Sequence, residues 1–159
     1  MRTEVERIRQ QLNQAFHGDS WHGEYAFSVL DAISPAEAAW RPEKGGHTIQ
    51  EIVLHTAAWL DAVVDRIDTR VVRKLTDAED WPEPGPGAEG WEADLGRLRE
   101  SCARVDRLLA DLHDADLDRR IMGQRKEWSA YEDLHGVVQH SLYHLGQIVI
   151  LARWARQAS

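Results

Sequence analysis

The segment Thr48–Ile67, TIQEIVLHTAAWLDAVVDRI, predicts the helix around which the fold is built. Thr48 and Glu51 form the T-x-x-E pair of a capping box, which marks a helix start. Apolar side chains then follow at helical spacing over about five turns, so the predicted helix buries one broad face. This face comprises Ile49, Ile52, Val53, Thr56, Trp59, Leu60, Val63, Val64 and Ile67.

Three further long helices are predicted from the same kind of spacing. They cover residues 3–16, residues 91–112, and a segment that a capping box at Ser129 and Glu132 opens and that continues past Ala152. The pattern therefore predicts an all-α protein, a four-helix bundle with a long crossover connection.

The connections are less regular. Residues 21–33 have a helical pattern, and Ser34, Pro35 and Glu37 predict a second, short helix. Residues 77–90 contain three prolines and three glycines and are predicted to be a loop. Residues 113–128 fit either an irregular crossover or a short hairpin around Gly123.

Composition limits the function classes. The chain has 159 residues, 43% of them hydrophobic and 29% charged, which predicts one globular domain over 1–159. A net charge of -8 argues against a nucleic-acid partner. Cys102 is the single cysteine, so an intrachain disulfide is excluded. A charged N-terminus and the lack of a membrane-length apolar run predict a cytoplasmic protein that does not enter a membrane.

Seven tryptophans are unusual for this length. Large rings fill wide gaps between helices, so we expect most of them in the core or anchoring loops, with a few lining a pocket. Cys102 lies on an apolar stripe and is interpreted as a core thiol rather than a nucleophile.

The segment QHSLYHLGQ, residues 139–147, places His140 and His144 four residues apart on one helix face, with Gln147 beside them. This pair lies on the shoulder of the apolar stripe and faces a neighbouring helix. Spacing of this kind lets two imidazoles reach one cation, although surface pairs also arise by chance.

His55 strengthens the case for a metal site because it lies inside an otherwise apolar helix. A buried histidine must be hydrogen-bonded, paired or coordinated, and a satisfied core histidine is the usual explanation. Three neutral imidazoles are also a common ligand set for Zn²⁺, Ni²⁺ or Fe²⁺ with an open position. The remaining histidines are interpreted as surface, capping or helix-end residues: His17, His22, His47, His113 and His135.

Other catalytic signatures are missing from the sequence. The residues between His140 and His144 are not those of H-E-x-x-H, and there is no nucleophile elbow or phosphate-binding glycine loop.

Three stretches together resemble the DinB/YfiT-like superfamily, which is unrelated to the DNA polymerase that shares the DinB name. They are SWHGEYAFSVLDAISPAEAAWRPEKGGHTIQEIVLHTAAWLDAV (20–63), EDWP (79–82) and LHGVVQHSLYHLGQI (134–148). The resemblance implies a helical bundle with a long crossover, often a homodimer, and a metal site formed by His55, His140 and His144. Many relatives have Asp directly after the first histidine of the pair, where this chain has Ser141.

Members of that superfamily include thiol-dependent S-transferases and a mycothiol-dependent isomerase. We therefore hypothesise a metal-dependent transferase that joins a low-molecular-weight thiol to a small electrophile, with Zn²⁺ the favoured cation. A bound metal lowers the pKa of a thiol. The electrophile is expected in a cleft walled by aromatic rings, with Gln147 orienting a ligand. These rings are Trp21, Tyr25, Trp59 and Tyr143.

Two alternatives stay open at this point. One is metal-assisted hydrolysis, with Asp61 or Glu24 as the general base. The other is a non-catalytic metal-binding or interaction module, in which a fourth side chain closes the site.

Overall fold

The computed structural model describes residues 1–123 and 128–158, and within them no helix is both long enough and apolar enough to cross a membrane. Its long helices are α1 Glu4–Phe16, α4 Ile49–Thr69, α6 Gly87–Asp111 and α8 Ala130–Ala158. The short elements are α2 Ala26–Leu30, α3 Pro35–Ala39, α5 Asp77–Asp80, α7 Asp114–Leu117, β1 Arg120–Ile121 and β2 Trp128–Ser129.

The four long helices form a bundle. Helix α4 packs mainly against α6 and α8, and α1 packs against the same two helices, so α1 and α4 lie at opposite corners. The connection from α1 to α4, residues 17–48, therefore crosses the bundle and carries α2 and α3 with it. The predicted all-α four-helix bundle with a long crossover is confirmed. Each long helix contributes to one hydrophobic core, for example through Ile8, Leu60, Trp91 and Leu134.

Local capping fixes where the helices begin. Each capping box pairs a hydroxyl with the N3 amide and the N3 carboxylate with the N-cap amide. The three predicted boxes form, and they are Ser34 with Glu37, Thr48 with Glu51, and Ser129 with Glu132. The start of α4 and of α8 is thus set by nearby residues, and the helical phase of every later side chain follows from it.

Residues 77–90 are more ordered than the predicted loop. They contain α5, and α6 begins at Gly87, four residues before the predicted start at Trp91. The side chain of Gln50, which is buried on α4, donates from Nε2 to the Gly85 carbonyl at 2.9 Å and to Asp94 Oδ2 at 2.8 Å. The same Asp94 oxygen accepts from the Gly85 amide at 3.0 Å. These bonds attach the connection to both helices.

Gly85 and Gly90 touch backbone to backbone. A Cβ placed on Gly90 would lie 2.1 Å from the Gly85 carbonyl carbon, closer than any real contact. Only glycine therefore fits at Gly90 without moving the connection.

Of the two other connections, one contains a shorter helix than predicted and the other matches one of its two predicted forms. Helix α2 covers only Ala26–Leu30 of the predicted 21–33 segment, because Tyr25 is an extended N-cap and turns precede it. Between α6 and α8, β1 pairs antiparallel with β2, which favours the hairpin interpretation over an irregular crossover. Residues 124–127, which follow the predicted turn position Gly123, lie outside the described residues.

The expected location of the tryptophans, in the core or anchoring loops, holds for Trp40, Trp81 and Trp91, which are buried or pack against the core. By contrast, Trp21 is 99% exposed and Trp154 is 51% exposed. Trp21 lies in the turns before α2, and Trp154 lies on the outer face of α8, so neither packs between helices. Cys102 is buried as predicted, and burial raises the pKa of its thiol to about 12.

One buried charged pair spans α4 and α8. Arg66 Nη1 lies 4.0 Å from Asp133 Oδ1, both residues are buried, and the Arg66 guanidinium also sits 4.9 Å above the Trp59 ring. Sliding the helices would separate two buried charges, which is costly. The pair thereby favours one antiparallel register of α4 against α8.

We expect Gly90→Ala to destabilise the protein by about 1–3 kcal/mol, because the added methyl group must displace the Gly85 backbone. Urea unfolding at neutral pH measures this change in the free energy of unfolding.

Gly96→Ala is the matched control. Gly96 lies in the same helix, is exposed, and an added Cβ meets nothing within 4 Å. This variant should gain about 0.5–1 kcal/mol from the better helix propensity of alanine. Equal effects of the two substitutions would contradict the proposed close packing.

Candidate metal centre

Three histidine side chains converge where α4 meets α8. Nε2 of His140 lies 3.2 Å from Nε2 of His55 and 3.1 Å from Nε2 of His144. One potential ligand atom from each residue falls within 4.8 Å of the other two. Among the residues described, these three thus form a cluster that could hold a metal ion.

Helix geometry explains the convergence. His140 and His144 are one turn apart on α8, and the capping boxes and the antiparallel register bring His55 of α4 opposite them. His55 and His144 are each 6% exposed. The cluster is therefore shielded from most of the solvent.

Asp80, at the end of α5, orients His55. The Asp80 carbonyl oxygen accepts from His55 Nδ1 at 2.7 Å, and its carboxylate Oδ1 lies 3.2 Å from the same nitrogen. Trp59 Nε1 donates to this carboxylate at 2.7 Å and holds it in place. Because the proton of His55 resides on Nδ1, Nε2 keeps its lone pair toward the cluster.

Gln147 orients His144 in the same way that Asp80 orients His55. Its Oε1 accepts from His144 Nδ1 at 2.7 Å, which directs the lone pair of His144 Nε2 toward His140. In the described part of the chain, the buried Nδ1 of His140 has no hydrogen-bond partner. His140 is consequently the histidine whose tautomer the surroundings fix least.

Trp81 is stacked between two imidazoles. Its ring centroid lies 3.9 Å from that of His55, with 10° between the planes, and 3.5 Å from that of His47, with 6° between the planes. His47 is exposed and its Nδ1 lies 3.4 Å from Glu51 Oε2. The stack covers one face of His55 and extends from the cluster to the surface.

Burial keeps the cluster neutral. Burial, together with the neighbouring His144 and His55, lowers the pKa of His140 to about 4. Burial also lowers the pKa of His55 and of His144, although their hydrogen bonds to Asp80 and Gln147 oppose the shift. Neutral imidazoles are the form that binds metal, so all three are ready to coordinate at neutral pH.

The spacing also suits one cation. Imidazole nitrogens about 2.0–2.1 Å from a shared Zn²⁺, with angles of about 90–110° between them, lie roughly 2.9–3.4 Å apart. Both Nε2–Nε2 distances to His140 fall in this interval. The donor set therefore fits a divalent metal.

Comparison with known proteins shows the family of the chain. The family model of the DinB superfamily matches residues 20–148, most of the chain and all three histidines. The chain belongs to the DinB superfamily. No curated protein matches it.

Solved structures of other proteins share its fold. A conserved protein from Enterococcus faecalis superposes with a TM-score of 0.70 at 18% identity, covering 99% of each chain. The DinB-like protein YjoA from Bacillus subtilis gives 0.68 at 14% identity, covering 92% of this chain and 90% of its own. YfiT from Bacillus subtilis gives 0.62 at 17% identity, covering 94% and 82%. YfiT is described as "a probable metal-dependent hydrolase with an unusual four-helix bundle topology".

Only some of the predicted pocket residues adjoin the cluster of this DinB protein. The Trp59 ring is 5.6 Å from that of His140, and the exposed Tyr143 ring is 5.0 Å from that of His144. Trp21 instead lines a separate groove with His22, His135 and Leu142, because the turns before α2 carry it there. Tyr25 packs against the hydrophobic core and makes none of the ring contacts around the histidines.

The predicted general bases are not positioned for catalysis. Asp61 accepts from Arg104 at 2.8 Å and from Ser101 at 3.1 Å, so it faces α6 rather than the cluster. Glu24 is exposed in the turns before α2. Ser141 is buried and donates to the Val137 carbonyl at 2.8 Å, within its own helix.

Sequence reasoning missed the contributions of Asp80, Trp81 and His47. The available clue was a further T-x-x-E pair, Thr76 and Glu79, which forms a capping box and places the next two residues beside His55. His47 was expected to be a surface or capping residue. It is exposed, but its stacking on Trp81 was not predicted.

In metal-free protein, we expect the free energy of unfolding to fall as the pH drops from about 6.5 toward 4. The unfolded chain takes up protons near the ordinary histidine pKa of 6.5, whereas folded His140 does so only near 4. Each histidine whose pKa is lowered in this way reduces the free energy of unfolding by roughly 1.4 kcal/mol for every pH unit below about 6.5 in this range.

Urea unfolding of chelator-treated protein measures this slope between about pH 5 and 7.5, a range that spans the ordinary histidine pKa. His140→Gln should flatten it, because glutamine does not titrate. A slope as steep as that of the original chain would show that His140 does not keep its low pKa.

Proposed function

We propose that this protein is a metal-dependent enzyme in which His55, His140 and His144 hold one divalent cation, with Zn²⁺ favoured. The observation that supports this most is the approach of three Nε2 atoms, at 3.1 and 3.2 Å, in a buried and neutral cluster. Three protein ligands leave at least one coordination position for a substrate group, as catalytic sites require.

A divalent cation in this position supplies Lewis acidity, which lowers the pKa of a coordinating thiol or water. The protein supplies orientation, because Asp80 and Gln147 hold the tautomers of His55 and His144. Burial lowers the pKa of the histidines, so protons do not compete with the metal for their nitrogens. Such hydrogen-bond partners raise the basicity and fix the direction of a histidine ligand.

The reaction that we favour is transfer of a low-molecular-weight thiol to a small electrophile. Hydrolysis is assisted by a general base that takes a proton from the attacking water. Asp80 is the carboxylate that the described residues place at the cluster, and it is already engaged by His55 and Trp59. A thiol is far more acidic than water and ionises without a dedicated base. Its sulfur bonds to the electrophilic carbon, the leaving group departs with its electron pair, and the thiol proton passes to solvent.

Metal-dependent hydrolysis is the second candidate, and the description of YfiT favours it. Ester or amide cleavage that needs the metal and no thiol would identify this reaction. Homodimer formation, a cytoplasmic location and a single domain over 1–159 stay predictions.

We expect each of His55→Ala, His140→Ala and His144→Ala to lose bound metal and to lose turnover. Asp80→Asn and Gln147→Ala act only through a ligand, so their metal affinity should fall less, by about 10- to 100-fold. Metal content by mass spectrometry, a competitive chelator titration, and thiol conjugation and ester cleavage assays on the same samples provide the measurements.

His22→Ala is the matched control, because His22 is exposed and lies outside the cluster. It should retain metal and turnover. Full metal content in the three cluster variants would overturn the site. Metal binding without either reaction would leave the non-catalytic module as the function.

A further inference from the structure

A groove of about 740 Å³ lies beside the histidine cluster, between α8 and the residues that join α3 to α4. Gln147 forms part of its wall and hydrogen-bonds to His144. His47 forms another part and reaches His55 through the stacked Trp81. One wall residue thus contacts a histidine of the cluster directly, and another reaches a second histidine through one intervening side chain.

The lining of this groove is mainly apolar. It includes Trp40, Pro42, Ile52, Ile150, Leu151 and Trp154. Trp154 is 51% exposed and Ile150 is 49% exposed, although contact with water is unfavourable for both side chains. Exposed apolar residues gathered in one concave site mark a binding surface rather than chance exposure.

The charges and the size of the groove indicate a small-molecule ligand without a strong net charge. Glu43 and Lys44 contribute one charge of each sign, so the groove has no strong preference for an anion or a cation. A volume of about 740 Å³ is that of a small-molecule pocket. Since Gln147 Oε1 accepts from His144, the Nε2 hydrogens of the same amide are the ones that can donate to a ligand oxygen.

We infer that the groove binds the apolar body, aryl or alkyl, of the electrophile, and so selects substrates with a neutral hydrophobic group beside the reactive carbon. This inference rests on the proposed function. The reactive carbon lies toward Gln147 and the histidines, and the apolar body lies against Ile150 and Trp154.

The test compares iodoacetamide with N-benzyl iodoacetamide, which share the reactive carbon and differ only in the apolar body. L-cysteine is the thiol: its sulfur bonds to the methylene carbon, iodide leaves with the electron pair, and the thiol proton goes to the buffer. The zinc-loaded chain is used, and Cys102 is buried with a raised pKa, so it competes little for the reagent.

The original chain should prefer the benzyl compound by at least about 10-fold in kcat/KM after subtraction of the uncatalysed rate, equivalent to about 1.4 kcal/mol. Trp154→Ala and Ile150→Ala should each reduce this ratio several-fold. Trp21→Ala removes an exposed tryptophan from a different groove and should keep the ratio.

Binding is measured separately from turnover with N-phenyl-1-naphthylamine, a neutral probe that fluoresces in apolar sites. Trp154→Ala should weaken its binding several-fold, and Trp21→Ala should not. Circular dichroism confirms that the variants fold, and Ile150→Ala provides a second, milder change.

The outcomes separate the two proposals. Metal-dependent conjugation of both compounds at equal kcat/KM overturns the groove assignment and leaves the proposed function intact. No conjugation, together with probe binding that depends on Trp154, supports the groove and overturns the transferase. A dimer in sedimentation that Trp154→Ala converts to a monomer shows an interface between copies and overturns the inference.

Discussion

Three imidazoles share a small buried volume between α4 and α8, and the rest of the molecule is arranged around this constraint. Burial opposes charge on each ring, so each must stay neutral and have its polar atoms directed. Asp80 and Gln147 accomplish this for His55 and His144 from two different segments. The cluster therefore depends on a helix pair and on a connection that packs beside it.

The bundle supplies the three histidines and Gln147, whereas the connections supply residues that orient and cover His55. Capping boxes set the phase of α4 and α8, and the buried Arg66–Asp133 pair favours one register between them. Residues outside the long helices then add Asp80, Trp81 and His47. This division is common in proteins, where rigid elements present residues that irregular segments orient.

The long helices could be predicted from sequence because their determinants are local. Caps and apolar spacing at Thr48–Ile67 and after Ser129 lie within a few residues of the helices they specify. Helical spacing also placed His140 and His144 on one face. The pairing of His55 with them came from the resemblance, because nothing in a single helix shows which partner it will meet.

The surroundings of the site could not be predicted in the same way. The bond from His55 to Asp80 joins residues 25 positions apart, across a segment whose composition is that of a loop. Trp21 was expected at the site and Trp154 was not singled out, because exposure of a ring depends on which helix face the tertiary fold leaves uncovered. The groove beside Gln147 arises only when the connection from α3 to α4 packs near α8.

The connection between α4 and α6 has an evolutionary consequence. Surface connections normally accept changes in length, because little depends on their path. Here Gly85 is bonded to Gln50 and Asp94, Gly90 lies against it, and Asp80 reaches His55. An inserted or deleted residue between Asp80 and Gly90 would break at least one of these contacts. Length variation among descendants of this chain should accumulate in the turns before α2 and spare this proline- and glycine-rich span.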